Sequence, residues 1–143
     1  MRQDQHLSVL PYLYLSNSNT GGPNFKILLM NDGVGPALVE SIKIIYDGKT
    51  YNQDLPNFLY KHIPEMDSIN NIVHSNVAEG MLIPAGRQLA ILEIENSQED
   101  ADKLFELLVK LNKKGLDLEL IYQSIYNERW KIAGDSHAPQ KLD

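Results

Sequence analysis

The stretch FKILLMNDGVGPALVESIKIIYDG, Phe25 to Gly48, constrains the fold most tightly. Two apolar runs flank the insert Asn31-Asp32-Gly33-Val34-Gly35-Pro36-Ala37. A glycine-rich insert of this kind either grips a phosphate or turns a corner. A phosphate loop aims backbone N–H groups at its anion, usually where a helix starts. Here the glycines precede Pro36 and a second strand-like run, with no Gly-Lys-Ser/Thr ending and no GxGxxG pattern. Pro36 also removes one N–H that such a loop would use. The corner reading accounts for every residue. Asn31 can turn the chain by bonding nearby backbone, and Gly33 and Gly35 can supply positive φ. Pro36 fixes the exit direction, and Ala37 is small enough to sit where two sheets close.

Punctuation continues along the chain. Leu7 to Leu15 reads as a strand rich in Leu, Val and Tyr, and Pro11 places it at an edge or a bulge. SNSNTGGP, Ser16 to Pro23, reads as a turn cluster. Asn24 to Met30 is nearly all apolar, as a strand buried on both faces would be. Leu38 to Tyr46 sets Ile42, Ile44 and Tyr46 against Ser41 and Lys43, and Asp47-Gly48 predicts a tight hairpin into Lys49 to Asn52. Pro56 opens a short helix through Tyr60 that Pro64 ends, and Ser68 to Val77 is an Asn-rich loop. Met81 to Ile83 is a short strand, Pro84-Ala85-Gly86 a turn, and Gln88 to Glu95 a strand with Ala90, Leu92 and Ile94 facing in.

One long helix is predicted over 97–114. Ser97 is its N-cap, and Glu99, Asp100 and Asp102 suit the positive N-terminal end. Ala101, Leu104, Phe105, Leu108 and Leu111 form its apolar stripe, and Gly115 is the stop. That stripe omits Leu107 and Val109, so the helix is either buried on two sides or meets a partner. Leu116 to Tyr122 alternates cleanly, and Glu128 to Ile132 closes the fold around Trp130. Hairpin-like links without βαβ alternation give a mainly β, antiparallel sandwich over residues 1–133, with the amphipathic helix inserted. Residues 134–143 read as a loose polar tail outside it.

At 143 residues the chain is long enough to bury a core without staples, and it has no cysteine. Disulfides, thiolate catalysis and cysteine zinc sites are excluded. The formal charge of −6 and scattered basic residues lack the footprint of a nucleic-acid binder. No apolar run approaches the roughly 20 residues of a membrane span. Because the first strand arrives almost at once, Met1 is expected not to be the natural start, with a segment preceding it.

Candidate chemistry is sparse. His6, His62, His74 and His137 lie far apart; His62 and His74 form a metal site only by converging with Glu65 or Asp67, against the plainer reading of solvated loop histidines. No G-x-S-x-G elbow surrounds Ser68 or Ser124. Glu93 and Glu95 share a strand face, as a hydrolase's paired acids or simply as the exposed face of a half-buried strand. Tyr122, Tyr126 and Trp130 recur every four residues and form either an interaction surface, for a sugar or a protein, or ordinary sandwich packing. No catalytic residue, cofactor or metal ligand is assigned.

The run NDGVGPALVESIKIIYDG, with HLSVLPYL before it and LELIYQSIYNERW after it, resembles a group of uncharacterised bacterial proteins with an N-x-G-x-G-P-A corner. Between Tyr51 and Ala78 there is no likeness. The Asn-Gly corner is also similar to that of immunoglobulin-like modules in bacterial surface proteins. The resemblance implies an immunoglobulin-like sandwich tethered by one transmembrane helix N-terminal to this chain, on an unassigned side of the membrane, with an unidentified protein partner.

Overall fold

A computed structural model describes residues 9–19, 21–134 and 138–142. The chain is mainly β, in two antiparallel sheets that share one core. The first sheet is ordered β1-β2-β7-β5, from β1 (Leu13–Asn19), β2 (Phe25–Asn31), β7 (Gln88–Ile94) and β5 (Ile72–Val73). The second is ordered β10-β9-β8-β3-β4, from β10 (Gln140–Leu142), β9 (Arg129–Ala133), β8 (Asp117–Gln123), β3 (Ala37–Tyr46) and β4 (Lys49–Tyr51). A short strand, β6 (Leu82–Ile83), pairs with the start of β3. Helix α1 (Leu55–His62), followed by a 3-10 turn at Pro64–Ser68, links β4 to β5; helix α2 (Gln98–Asn112) links β7 to β8.

The interior follows strand alternation. In β2, Phe25, Ile27, Leu29 and Asn31 point inward; in β8, Leu118, Leu120 and Tyr122 do. Thus β2 is not uniformly buried on both faces. Ile42 and Ile44 are core and Tyr46 packs against them, as the sequence predicts. Asp47 (φ 51°) and Gly48 (φ 78°) both take the left-handed conformation that a two-residue hairpin with the twist of its strands requires.

Several expectations are corrected. Of the strand predicted at Leu7 to Leu15, Leu7 and Ser8 lie outside the described residues; from Val9 on, the strand begins at Leu13 and runs through Asn19, so the serines and asparagines of the supposed turn cluster pair with β2. In β7 Leu92 and Ile94 face inward as predicted, but Ala90 does not: Leu89, opposite inward Leu29, packs on the core, and Ile91 is buried as well. A bulge sets Ile27 opposite Leu92 but Leu28 opposite Ala90, so Ile91 is extra and Ala90 falls on the outer face with Leu28. The short helix predicted from Pro56 to Tyr60 is present and longer, Leu55–His62, so the sandwich carries a second helix besides the inserted one. α1 begins at Asp54, whose 3% exposed carboxylate accepts from Asn57 N at 3.1 Å and Val77 N at 2.8 Å. Helix α2 starts on the Ser97 cap but is rotated from the predicted stripe: Asp100, Ala101, Leu104, Leu107 and Leu111 are buried, while Phe105 is exposed. The rotation takes Asp100 into the interior, where it accepts from Asn70 N, Asn71 Nδ2 and Ser97 Oγ at 2.9–3.1 Å. Those bonds tie the segment before β5 to the helix. The polar tail also contributes structure, since β10 pairs with β9 and sets Lys141 opposite Trp130.

Candidate functional site at the corner end

β2 ends, β3 begins, β6 lies alongside, and β8 turns into β9 at one end of the molecule. The Asn31–Ala37 insert is there, and it is a corner. Asn31 is fully buried, and its side chain makes four hydrogen bonds, the most its amide can use. Oδ1 accepts from Tyr12 N (3.1 Å) and Gly33 N (3.0 Å). Nδ2 donates to the carbonyls of Gly35 and Ile83, each at 3.0 Å. Backbone bonds from Gly86 N to Asn31 O (2.8 Å) and from Asn31 N to Arg87 O (3.0 Å) add the next turn. One side chain therefore joins the segment before β1, the corner itself and β6.

The glycines act differently from the expectation. Neither Gly33 nor Gly35 has positive φ. They are required because the segment from Val9 to Tyr12 lies directly against them. A Cβ on Gly33 would meet Tyr12 N at 2.6 Å, and one on Gly35 would overlap the carbonyl of Val9. Val34 N donates to Leu10 O at 3.0 Å and Asp32 N to Tyr12 O at 2.9 Å. The corner is a clamp for this lead-in strap, and Ala37, fully buried opposite Ile83, closes it from behind.

The aromatic triad does not assemble as one surface. Tyr122 is fully buried; its hydroxyl accepts from Leu13 N at 3.3 Å, and burial pushes its pKa up to about 12. Trp130 stacks on it with centroids 5.8 Å apart, and Lys141 Nζ lies 6.0 Å from the indole centroid. Tyr126 sits in the turn that follows, half-buried. A sugar platform would need coplanar open faces, and Tyr122 offers none. Ser124, buried, organises that turn: its hydroxyl accepts from Tyr126 N (3.1 Å) and Glu128 N (3.3 Å). A cleft of about 340 Å³ separates the strap, at Leu10 to Tyr12, from Trp130 and Pro139.

Large apolar side chains are exposed around this end. Val34 (65%) comes from the corner, Leu82 (55%) from β6, and Ile125 (57%) from the β8–β9 turn. Tyr12 and Leu38 are exposed beside them, Leu38 directly opposite Leu82. They share one end because the β2–β3 corner, β6 and the β8–β9 turn all lie there; no single run of sequence contains them.

Elsewhere, the other candidates are dispersed. His62 packs on Tyr51 and Phe58, with centroids at 4.7 and 5.2 Å, whereas His74 packs on Tyr60 at 5.6 Å. Among the described residues no three His, Asp or Glu side chains are grouped to hold a metal. His6 and His137 lie outside the described residues. Glu93 pairs with Lys26 at 3.0 Å, and Glu95 lies just beyond β7. Glu65 pairs with Lys110 at 2.8 Å, which holds its carboxyl below the usual range, opposite to what a general acid needs. Of the two residues left off the predicted helix stripe, Leu107 is core and Val109 is exposed near Phe105. No helix among the described residues is long and apolar enough to cross a membrane. Comparison with known proteins finds no matching family model, curated protein or solved structure.

Proposed function

We propose that this chain is a non-enzymatic interaction domain, an immunoglobulin-like sandwich tethered to a membrane through a segment N-terminal to it, that offers its corner end to a protein partner. The placement of exposed Val34, Leu82 and Ile125 at one end, from the corner, β6 and the β8–β9 turn, carries the reading. Single exposed apolar residues are ordinary, whereas a cluster at one end is typical of a protein contact. Strand order supports the immunoglobulin-like part. β1-β2-β7-β5 and β9-β8-β3-β4 correspond to the A-B-E-D and G-F-C-C′ orders of such sandwiches. In that lettering the clamp is the B–C connection and residues 124–128 the F–G connection, which share the binding end of variable domains. The tether rests on the sequence resemblance.

A photo-crosslinking residue at Val34, compared with one at exposed Val73 on β5, tests the contact in native cells. A discrete adduct from position 34 that is lost in an L82E/I125E background is expected. Equal labelling from both positions refutes the assignment of this end. Cell fractionation tests the tether separately: a species several kilodaltons above 16.2 kDa in the membrane pellet is expected, and a soluble 16.2 kDa species refutes it.

A further inference from the structure

Edge strands invite pairing, and folds usually guard them by shortness, charge, proline or bulges. Three of the four sheet edges here are guarded: β5 has two residues, β4 three with Lys49, and β10 three with Lys141. β1 is different. It runs for seven residues, LYLSNSN, with no charge and no proline, in unbroken register with β2. Its outer side pairs with no strand among the described residues.

The backbone directions along β1 can be read from its start. Tyr12 O accepts from Asp32 N, so Tyr12 faces β2; Leu13 N donates to Tyr122 Oη, so Leu13 faces away. Asn31, opposite Leu13, agrees, because its backbone bonds to Gly86 and Arg87 rather than to β1. Strand alternation then turns the N–H and C=O groups of Tyr14, Ser16 and Ser18 toward β2, and those of Leu15 and Asn17 toward the open edge.

We infer that β1 is the pairing strand of a two-fold dimer of this chain. An antiparallel pairing centred on Ser16 sets Leu15 against the partner's Asn17, and Asn17 against the partner's Leu15. Each of these couples uses the free N–H and C=O groups, giving four backbone hydrogen bonds. Ser16 meets the partner's Ser16 as a non-hydrogen-bonded pair, the closer of the two spacings, and serine is small enough for it. No charge on β1 opposes its copy. The parity of the strand permits a two-fold contact, since outward groups flanking the axis are self-complementary, and the uncharged sequence with a small Ser16 on the axis is what favours a second copy. The two first sheets would join into one of eight strands.

Sedimentation velocity of the 143-residue chain from about 10 µM to about 500 µM tests this, in the range where a contact of a few hydrogen bonds shows. The mass is expected to rise from 16.2 kDa toward twice that value. Asn17→Pro removes an outward N–H while sparing the bonds to β2, since proline's φ suits an edge strand. Ser16→Lys brings two ammonium groups together on the axis. Both should weaken association at least about tenfold, with unchanged thermal midpoints measured at low concentration. Ser18→Lys, on the same face but off the axis, should associate like the parent. A parent that stays at 16.2 kDa throughout overturns the inference, as do N17P and S16K variants that associate as well as the parent. Slow exchange of the Leu15 and Asn17 amides in a monomer also overturns it, because the chain would then cover its own edge.

Discussion

Replacing Asn31 tests the clamp directly. Asn31→Ala deletes four hydrogen bonds of 3.0–3.1 Å from a side chain with no solvent exposure. Each is worth about 1 kcal/mol net, and a buried group left without a partner costs somewhat more. The carbonyls of Gly35 and Ile83 lose buried donors, whereas Tyr12 N and Gly33 N are only partly buried and can turn to water. The expected loss is about 3 kcal/mol, a large share of the 5–15 kcal/mol typical of a domain. Asn31→Asp keeps the shape and both accepted bonds but points an oxygen at two carbonyls. Its carboxyl, buried among acceptors, has a folded pKa raised above the unfolded value of about 3.9. Such a group lowers stability progressively as pH rises from the unfolded toward the folded pKa. N31D should therefore be milder at pH 5 than at pH 8. Urea unfolding followed by Trp130, the single tryptophan, which stacks on buried Tyr122, reads both variants. Asp32→Ala is the control, because the exposed Asp32 carboxylate bonds only the Tyr14 hydroxyl among the described residues, and a change within about 0.5 kcal/mol is expected. A loss below about 1 kcal/mol for N31A, or a pH-independent N31D, refutes the account of Asn31 as a fully used buried amide.

Other substitutions probe its neighbours and the helices. Gly35→Ala, which sets a methyl against the Val9 carbonyl, should cost about 1–3 kcal/mol and speed amide exchange at Tyr12 and Val34, whose N–H groups bridge strap and corner; unchanged exchange would show that the strap is not held there. Asp54→Ala removes the cap of α1 and the acceptor of Val77 N, for about 2–3 kcal/mol by denaturant unfolding, and a loss limited to that of an exposed cap would contradict its burial. The Asp100 carboxyl is held below its ordinary value by the bonds from Asn71, Asn70 and Ser97, against the opposing effect of burial. Its contribution is present above the unfolded pKa and lost as pH falls through the folded one, so Asp100→Asn should flatten the decline in stability below about pH 4. In a 295 nm titration, the difference between the parent and Tyr122→Phe should be a single phenol ionising near pH 12, and a difference centred on pH 10 would contradict the burial of Tyr122.

Local chemistry settled much of this molecule. Alternation fixed β3 and β8 and the inward set of Ile42, Ile44, Leu118 and Leu120, because a strand has one period and one face to bury, whereas the apolar run of β2 marked a strand without showing which face is inward. Asp47-Gly48 made its hairpin, and Ser97 and Gly115 bounded α2, since turns and caps depend on a few adjacent residues. Asn31 and Ala37 marked a corner from the sequence alone. Long-range contacts decided the rest. Gly33 and Gly35 are glycines on account of Val9 to Tyr12, more than 20 residues earlier, whose approach no local pattern records. The inward turn of Leu107 follows from Asp100, a polar residue that no apolar stripe would include and that is buried only because Asn70 and Asn71 arrive to bond it. The Ile91 bulge shifts Ala90 outward through the register with β2. Tyr122, Tyr126 and Trp130 are close in sequence, yet Tyr122 belongs to the core, while Val34, Leu82 and Ile125 are remote in sequence and share one end. Periodicity reports which face of an element is apolar; which elements close over it, and which side chains are left outside, is fixed only when the two sheets meet.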